Sequence, residues 1–250
     1  MEEKLRHARE ASISDKSITG KGKPPVASRA ADVDLFLSQA NAITGTTGKG
    51  RLIFALDATL SRQPTWDIAC RLQAEMFDVT AAQGGLSIQL VYFRGLNECR
   101  ASQWLANAAA LKGLMERIDC RGGQTQIERV LDHTAAQAAK ARVGALVFVG
   151  DAMEENIDAL CQSAGKLGLL GVKAFLFQEG QDPVAGQAFG EIARLTGGVH
   201  ERFDLRAPQS LAGLLRAAAA YASDGVAGLT RLAGDEPTAR RLLVSLGGAR

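Results

Sequence analysis

A carboxylate and two hydroxyls stand at alternate positions in Asp57, Thr59 and Ser61. They follow Arg51 to Leu56, a short apolar run that stops abruptly in polar residues and reads as a buried strand. In extended chain, positions i, i+2 and i+4 project to one side. The spacing therefore predicts three hard oxygen donors together at the tip of a strand. Such donors suit a hard divalent cation, Mg²⁺ first, with Mn²⁺ or Ca²⁺ as alternatives. Three oxygens do not fill the coordination sphere of such an ion, so the remainder must come from elsewhere in the chain.

Composition narrows what that site can serve. The 250 residues suffice for one large domain with or without tails. A formal net charge of +2 favours no particular partner. The cysteines, Cys70, Cys99, Cys120 and Cys161, show neither Cys-x-x-Cys pairing nor zinc spacing, and with most in apolar patterns they read as buried free thiols. Together with the lack of a signal peptide, they make a reducing cytoplasm the expected location. No apolar run approaches the ~20 residues that a helix needs to span a bilayer. The histidines are few and far apart, which argues against a histidine-based centre.

The elements that must position the donors follow from periodicity and punctuation. Residues 1–30 are polar and aperiodic and read as a disordered tail. From Ala31, the spacing of Val33, Leu35, Phe36, Leu37 and Ala40 predicts a short amphipathic helix. The glycine-rich stretch from Gly45 to Gly50 is no phosphate loop, because its glycines precede the strand instead of following it into a helix. A helix is expected from Gln63, with Pro64 in its first turn, through Val79. A strand follows over 87–93, a turn at Gly95 to Asn97, and an antiparallel edge strand over 98–103. Helices are expected over 104–118 and 125–141, and a wholly apolar strand over 144–150 ends at Asp151. Beyond it the pattern gives a helix over 153–169, a strand over 172–177, a helix over 183–196, a strand over 199–203 and a helix over 208–222. Strands separated by helices mean βαβ units, so the expected fold is α/β: a three-layer, doubly wound, mainly parallel six-stranded sheet with one antiparallel edge strand. The domain is bounded at 31–228, and residues 229–250 form a C-terminal tail with a short helix from Pro237.

Ligands of open parallel sheets bind at the carboxyl ends of the strands, near the point where strand order reverses. Asp57, Thr59 and Ser61 are expected at that edge, as is Asp151. Thr125 follows Gly122 and Gly123, which permit a close approach to the same edge. Two carboxylates and three hydroxyls can thus converge on one point. This constellation resembles the von Willebrand factor A domain with its metal-ion-dependent adhesion site. Asp57, Thr59 and Ser61 match the Asp-x-Ser-x-Ser segment after the first strand, with Thr59 in place of the usual Ser. Thr125 matches the Thr of a later glycine-containing loop. Asp151 matches the Asp after the fourth strand, here followed by Ala152 where Gly is usual. Order, spacing and intervening elements agree over about residues 31–225.

The resemblance implies a Rossmann-like fold, a divalent metal held by these five side chains, and a protein partner that supplies a Glu or Asp to the metal. It implies an interaction module and not an enzyme. A metal-dependent phosphoesterase is the competing class, but no carboxylates are paired to bridge two metals and no general base lies in the motif. A role in an RNA-associated assembly is a third reading, which the near-neutral charge and sparse aromatics do not favour. A local alternative also exists for the site residues. Thr125 with Glu128, and Asp151 with Glu154, are spaced as helix caps. Glu154 and Glu155 either add negative potential near a cation or sit at a solvated helix start.

Overall fold

A computed structural model describes residues 50–81, 85–204 and 206–248. The polar tail, the helix expected from Ala31 and the glycine-rich stretch before Gly50 lie outside the described residues.

Strand β1 (Gly50–Asp57) is buried from Leu52 onward. Its side chains alternate between two cores, as a strand covered on both faces requires. Leu52, Phe54 and Leu56 face one core, and Ile53 and Ala55 the other. The chain then makes a 3₁₀ turn (Leu60–Arg62) and enters helix α1 (Gln63–Leu72), followed by α2 (Ala74–Asp78). The expected single helix is thus two segments that meet at Gln73. Strands β2 (Leu86–Arg94) and β3 (Glu98–Leu105) form the expected antiparallel hairpin, with Gly95 at φ +60° in its turn. Strand β3 runs two residues further than its pattern suggested. Trp104 pairs with Gln89 in the ladder, and the Arg51 guanidinium lies 3.8 Å over its ring. Helix α3 (Ala108–Met115) therefore starts late, where the Asn107 side chain accepts a hydrogen bond from the Ala110 N–H.

The remaining elements are α4 (Ile127–Ala138), β4 (Ala145–Gly150), α5 (Ile157–Leu169), β5 (Lys173–Glu179), α6 (Pro183–Thr196), β6 (Val199–Phe203), α7 (Pro208–Leu232) and α8 (Pro237–Gly248). The bounds of α6 and β6 are those the sequence predicts. Asp182 accepts from the Ala185 N–H, Pro183 opens the first turn, and Gly197 closes α6 in the left-handed conformation. Helix α7 outruns its expected end, but it breaks near that point, at Asp224 and Gly225.

The sheet order is β3-β2-β1-β4-β5-β6, parallel except for β3. This is the α/β, six-stranded, doubly wound sheet with one antiparallel edge strand that the sequence implies. Helices α1, α3 and α7 pack on the face carrying Leu52 and Phe54, through Trp66, Met115 and Leu215 among others. Ala239 and Leu242 of α8 join the same core. Helices α4, α5 and α6 cover the opposite face through Val130, Leu160 and Phe189.

Where α7 crosses the amino ends of β1 and β4, backbones touch. A Cβ at Gly50 would lie 2.5 Å from the Ser223 Cα, and one at Gly144 would lie 2.3 Å from the Ala222 carbonyl oxygen. Gly144→Ala is therefore expected to cost about 1–3 kcal/mol by overpacking. A urea midpoint that falls with an unchanged slope checks it.

Candidate metal centre

Strands β1 and β4 are adjacent and parallel, with Leu56 in register with Val149. From β1 the sheet is extended in one direction by β2, and from β4 in the other by β5. Their carboxyl ends, Asp57 and the residue after Gly150, thus flank the point where strand order reverses. A cleft of about 180 Å³ opens there, lined by Asp57, Thr59, Ser61, Gly123, Thr125 and Asp151 among others. All five oxygen-bearing side chains singled out from the sequence meet in this one cleft.

The local geometry of the first segment differs from the expected one. The strand ends at Asp57, and Ser61 sits inside the 3₁₀ turn, not on an extended chain. The turn still gathers the donors. Asp57 Oδ1 accepts from the Thr59 N–H at 2.7 Å, and the Thr59 and Ser61 hydroxyl oxygens lie 3.4 Å apart. The Asp57 carboxylate, engaged by its own neighbour two residues on, forms an Asx-type turn that fixes its orientation.

Thr125 reaches the cleft because its loop is held by backbone groups. Arg121 N–H donates to the Ala58 carbonyl at 3.0 Å, and Gln124 N–H to the Gly95 carbonyl at 3.2 Å. The Gln126 amide donates to the carbonyls of Arg94 and Gly95. Gly123 lies so close to the hairpin turn that a Cβ there would sit 2.1 Å from the Gly95 oxygen. The glycine is required by that approach, as its sequence position suggested.

The capping alternative fails on geometry. Thr125 does not cap α4: its hydroxyl accepts from the Glu154 N–H at 3.0 Å, and its own N–H donates to Glu154 Oε2 at 3.1 Å. The free N–H groups of Ile127 and Glu128 donate to the two oxygens of Glu155, at 2.6 and 2.9 Å. A carboxylate from the β4–α5 loop thus caps α4 from outside, where the helix dipole favours it. Asp151 caps nothing either, because α5 starts at Ile157 with Asn156 as its cap. Glu154 and Glu155 clamp two loops together, a role their sequence position did not reveal.

A second residue the sequence reading passed over is Arg62. It is 2% exposed, and its guanidinium donates to Glu179 at the end of β5 and lies 3.5 Å from Asp151 Oδ2. Thr65 donates its hydroxyl to the same Glu179 oxygen. Nothing local marks Arg62 as buried; its partner Glu179 is 117 residues away.

Asp57 is 3% exposed. Burial pushes its carboxyl up to about 6; the hydrogen bonds from Thr59 oppose this, the Asp151 charge adds to it and Arg62 offsets it. A folded-state value above the ordinary 3.8 means that the native state holds the proton more tightly than the unfolded one. The stabilisation is complete below pH about 4 and is lost as the pH rises through about 6. Without divalent cations, ionised Asp57 therefore burdens the fold at neutral pH. Asp57→Asn keeps an oxygen for the Thr59 N–H and removes the charge. In EDTA at pH 7.5 it is expected to raise stability by up to about 3 kcal/mol, and by little at pH 4. Paired denaturation curves at the two pH values check this.

No family model matches the sequence, and no curated protein resembles it closely enough to count as a relative. Solved structures do resemble it. A von Willebrand factor type A protein from Catenulispora acidiphila superposes with a TM-score of 0.58 at 18% identity, covering 70% of this chain and 43% of that one. Proximal thread matrix protein 1 from the mussel byssus, described with a zinc-occupied metal-ion-dependent adhesion site, superposes at 0.53 with 15% identity, over 69% of this chain and 46% of that one. The SpRpn10 von Willebrand factor A domain superposes at 0.53 with 11% identity, over 67% of this chain and 97% of that one. This chain therefore spans less than half the length of the first two and nearly all of the third. The described sheet, its order and these superpositions agree: the chain has the von Willebrand factor A fold.

Proposed function

We propose that this chain is a divalent-cation-dependent protein-interaction module. In this reading Asp57, Thr59, Ser61, Thr125 and Asp151 hold Mg²⁺, or Mn²⁺ or Ca²⁺ in its place, and a Glu or Asp of a protein partner completes the coordination. The observation that supports it is the meeting of all five in one cleft at the reversal of strand order.

The donor set fits such an ion. Mg²⁺ and its relatives take oxygen ligands, and every donor here is a carboxylate or hydroxyl oxygen. Among the described residues no group of three or more His, Cys, Asp or Glu side chains is disposed to hold a metal. A cation here therefore depends on the hydroxyls. The buried Asp57 carboxylate, with its charge opposed by desolvation, is the group that gains most from a positive neighbour. Asp57, Thr59, Ser61, Thr125 and Asp151 all line the cleft. Hydroxyls are neutral, so an ion bound through them keeps charge with which to attract an outside carboxylate. Leu60, Gly122 and Ala152 line the same cleft, and Leu60 is exposed, so an outside side chain can approach. The mussel protein's zinc-occupied site supports the reading by analogy of fold. The four unpaired cysteines suit the cytoplasmic setting we infer for it.

Titration calorimetry with Mg²⁺ and Mn²⁺ tests the site. Asp57→Ala and Asp151→Ala are each expected to weaken binding about tenfold or more while leaving the far-ultraviolet spectrum intact. Affinity unchanged in both variants sinks the assignment. Partner capture with and without EDTA tests the mode: a partner retained after chelation would place recognition on other surfaces.

A further inference from the structure

The residue immediately after Ser61 has a property that packing does not explain. Arg62 is buried, yet its Nε and one terminal nitrogen, Nη2, find no hydrogen-bond partner among the described residues. The other, Nη1, is shared between Glu179 and Asp151. An apolar side chain of similar volume would fill the same space without the desolvation cost of a half-satisfied guanidinium. Its backbone belongs to the turn that carries Ser61 to the cleft, while its side chain turns inward behind Asp151. It does not line the cleft itself.

We propose that Arg62 is a positioning residue that weakens the chain's own hold on the cation, so that tight binding requires the partner's carboxylate. The inference rests on the metal reading above. Two effects act in the same direction. The guanidinium offsets one of the negative charges the cation would otherwise meet. It also lies 3.5 Å from Asp151 Oδ2, so that this oxygen is shared between the guanidinium and the cleft. Glu179, itself held by Thr65, anchors the guanidinium and limits how closely it approaches Asp151. The Arg62 charge faces Asp151 from the β4–α5 loop, Glu179 from β5 and Asp57 from β1. With Arg62 in place, an incoming Asp or Glu supplies the negative charge that Arg62 cancels, which makes cation and partner bind cooperatively.

Mg²⁺ alone is the probe, followed by calorimetry and by the Mg²⁺-induced rise in thermal midpoint of the full chain. Arg62→Met is expected to tighten Mg²⁺ about tenfold. The double variant Arg62→Met with Glu179→Gln, which spares Glu179 from facing a methionine, is expected to tighten it as well, because Asp151 is released in both. Glu179→Gln alone is expected to weaken Mg²⁺ about threefold, since it removes a negative charge and frees Arg62 to approach Asp151. Arg62→Lys restores a cation and is expected to reverse the tightening seen with methionine. A purely structural role would move all these variants the same way. Folded Met variants that bind Mg²⁺ no more tightly than wild type, or a Glu179→Gln variant that binds more tightly, overturn the proposal. If neither the wild type nor Arg62→Met binds Mg²⁺ or Mn²⁺, the metal reading and this inference fall together. A wild type that binds, and loses binding in Asp57→Ala, leaves the metal reading standing whatever Arg62 does.

Discussion

Everything at the candidate site depends on β1 and β4 lying side by side in parallel while their connections depart in opposite directions. Two such strands end at the same level, and no crossover covers the gap between their tips. Asp57 and Asp151 are placed there by the ladder, since Leu56 and Val149 are in register and each acidic residue follows within two positions. The apolar strands beneath bury both faces, so the ladder cannot slip without carrying Phe54 or Val147 out of a core. The position of the cleft is therefore set by hydrophobic burial, although its chemistry is polar.

The loops above the ladder are held by a different kind of interaction. The Gly122–Gly123 loop is fixed by main-chain hydrogen bonds to Ala58 and Gly95, and by the contact that only a glycine at 123 allows. The β4–α5 loop is tied to the start of α4 by Glu154 and Glu155. Thr125 is thus bound to the loop that carries Asp151. A charge layer lies below, in which Arg62 joins the ends of β4 and β5. A cation placed above would act on a frame of donors already oriented by backbone, with a like charge buried behind it.

The fold and the candidate residues were legible in the sequence to unequal degrees. Helix α6 and strand β6 could be bounded to the residue because Asp182, Pro183 and Gly197 are local stop and start signals. The starts of α3, α4 and α5 were misread by two to four residues. Two were displaced by distant interactions, β3 pairing at Trp104 and the Glu155 carboxylate at the α4 terminus, and α5 by a local cap, Asn156, that the Asp151–Glu154 spacing masks. The side-by-side geometry of Asp57, Thr59 and Ser61 was right in outcome, but it arises from a 3₁₀ turn and not from an extended strand.

Local pattern alone sets which segments are buried strands and which residue types stand at their carboxyl ends. Apolar runs and the polar residues that terminate them are local, and they act over a few residues of chain. Strand order, the shared cleft, the clamp by Glu154 and Glu155 and the burial of Arg62 were decided only by tertiary structure. Their partners lie between 27 and 117 residues apart, and no periodicity in a single chain encodes which distant carboxylate will meet a given donor. That pairing follows from how the packed layers bring loop ends together, after the hydrophobic faces have chosen their neighbours.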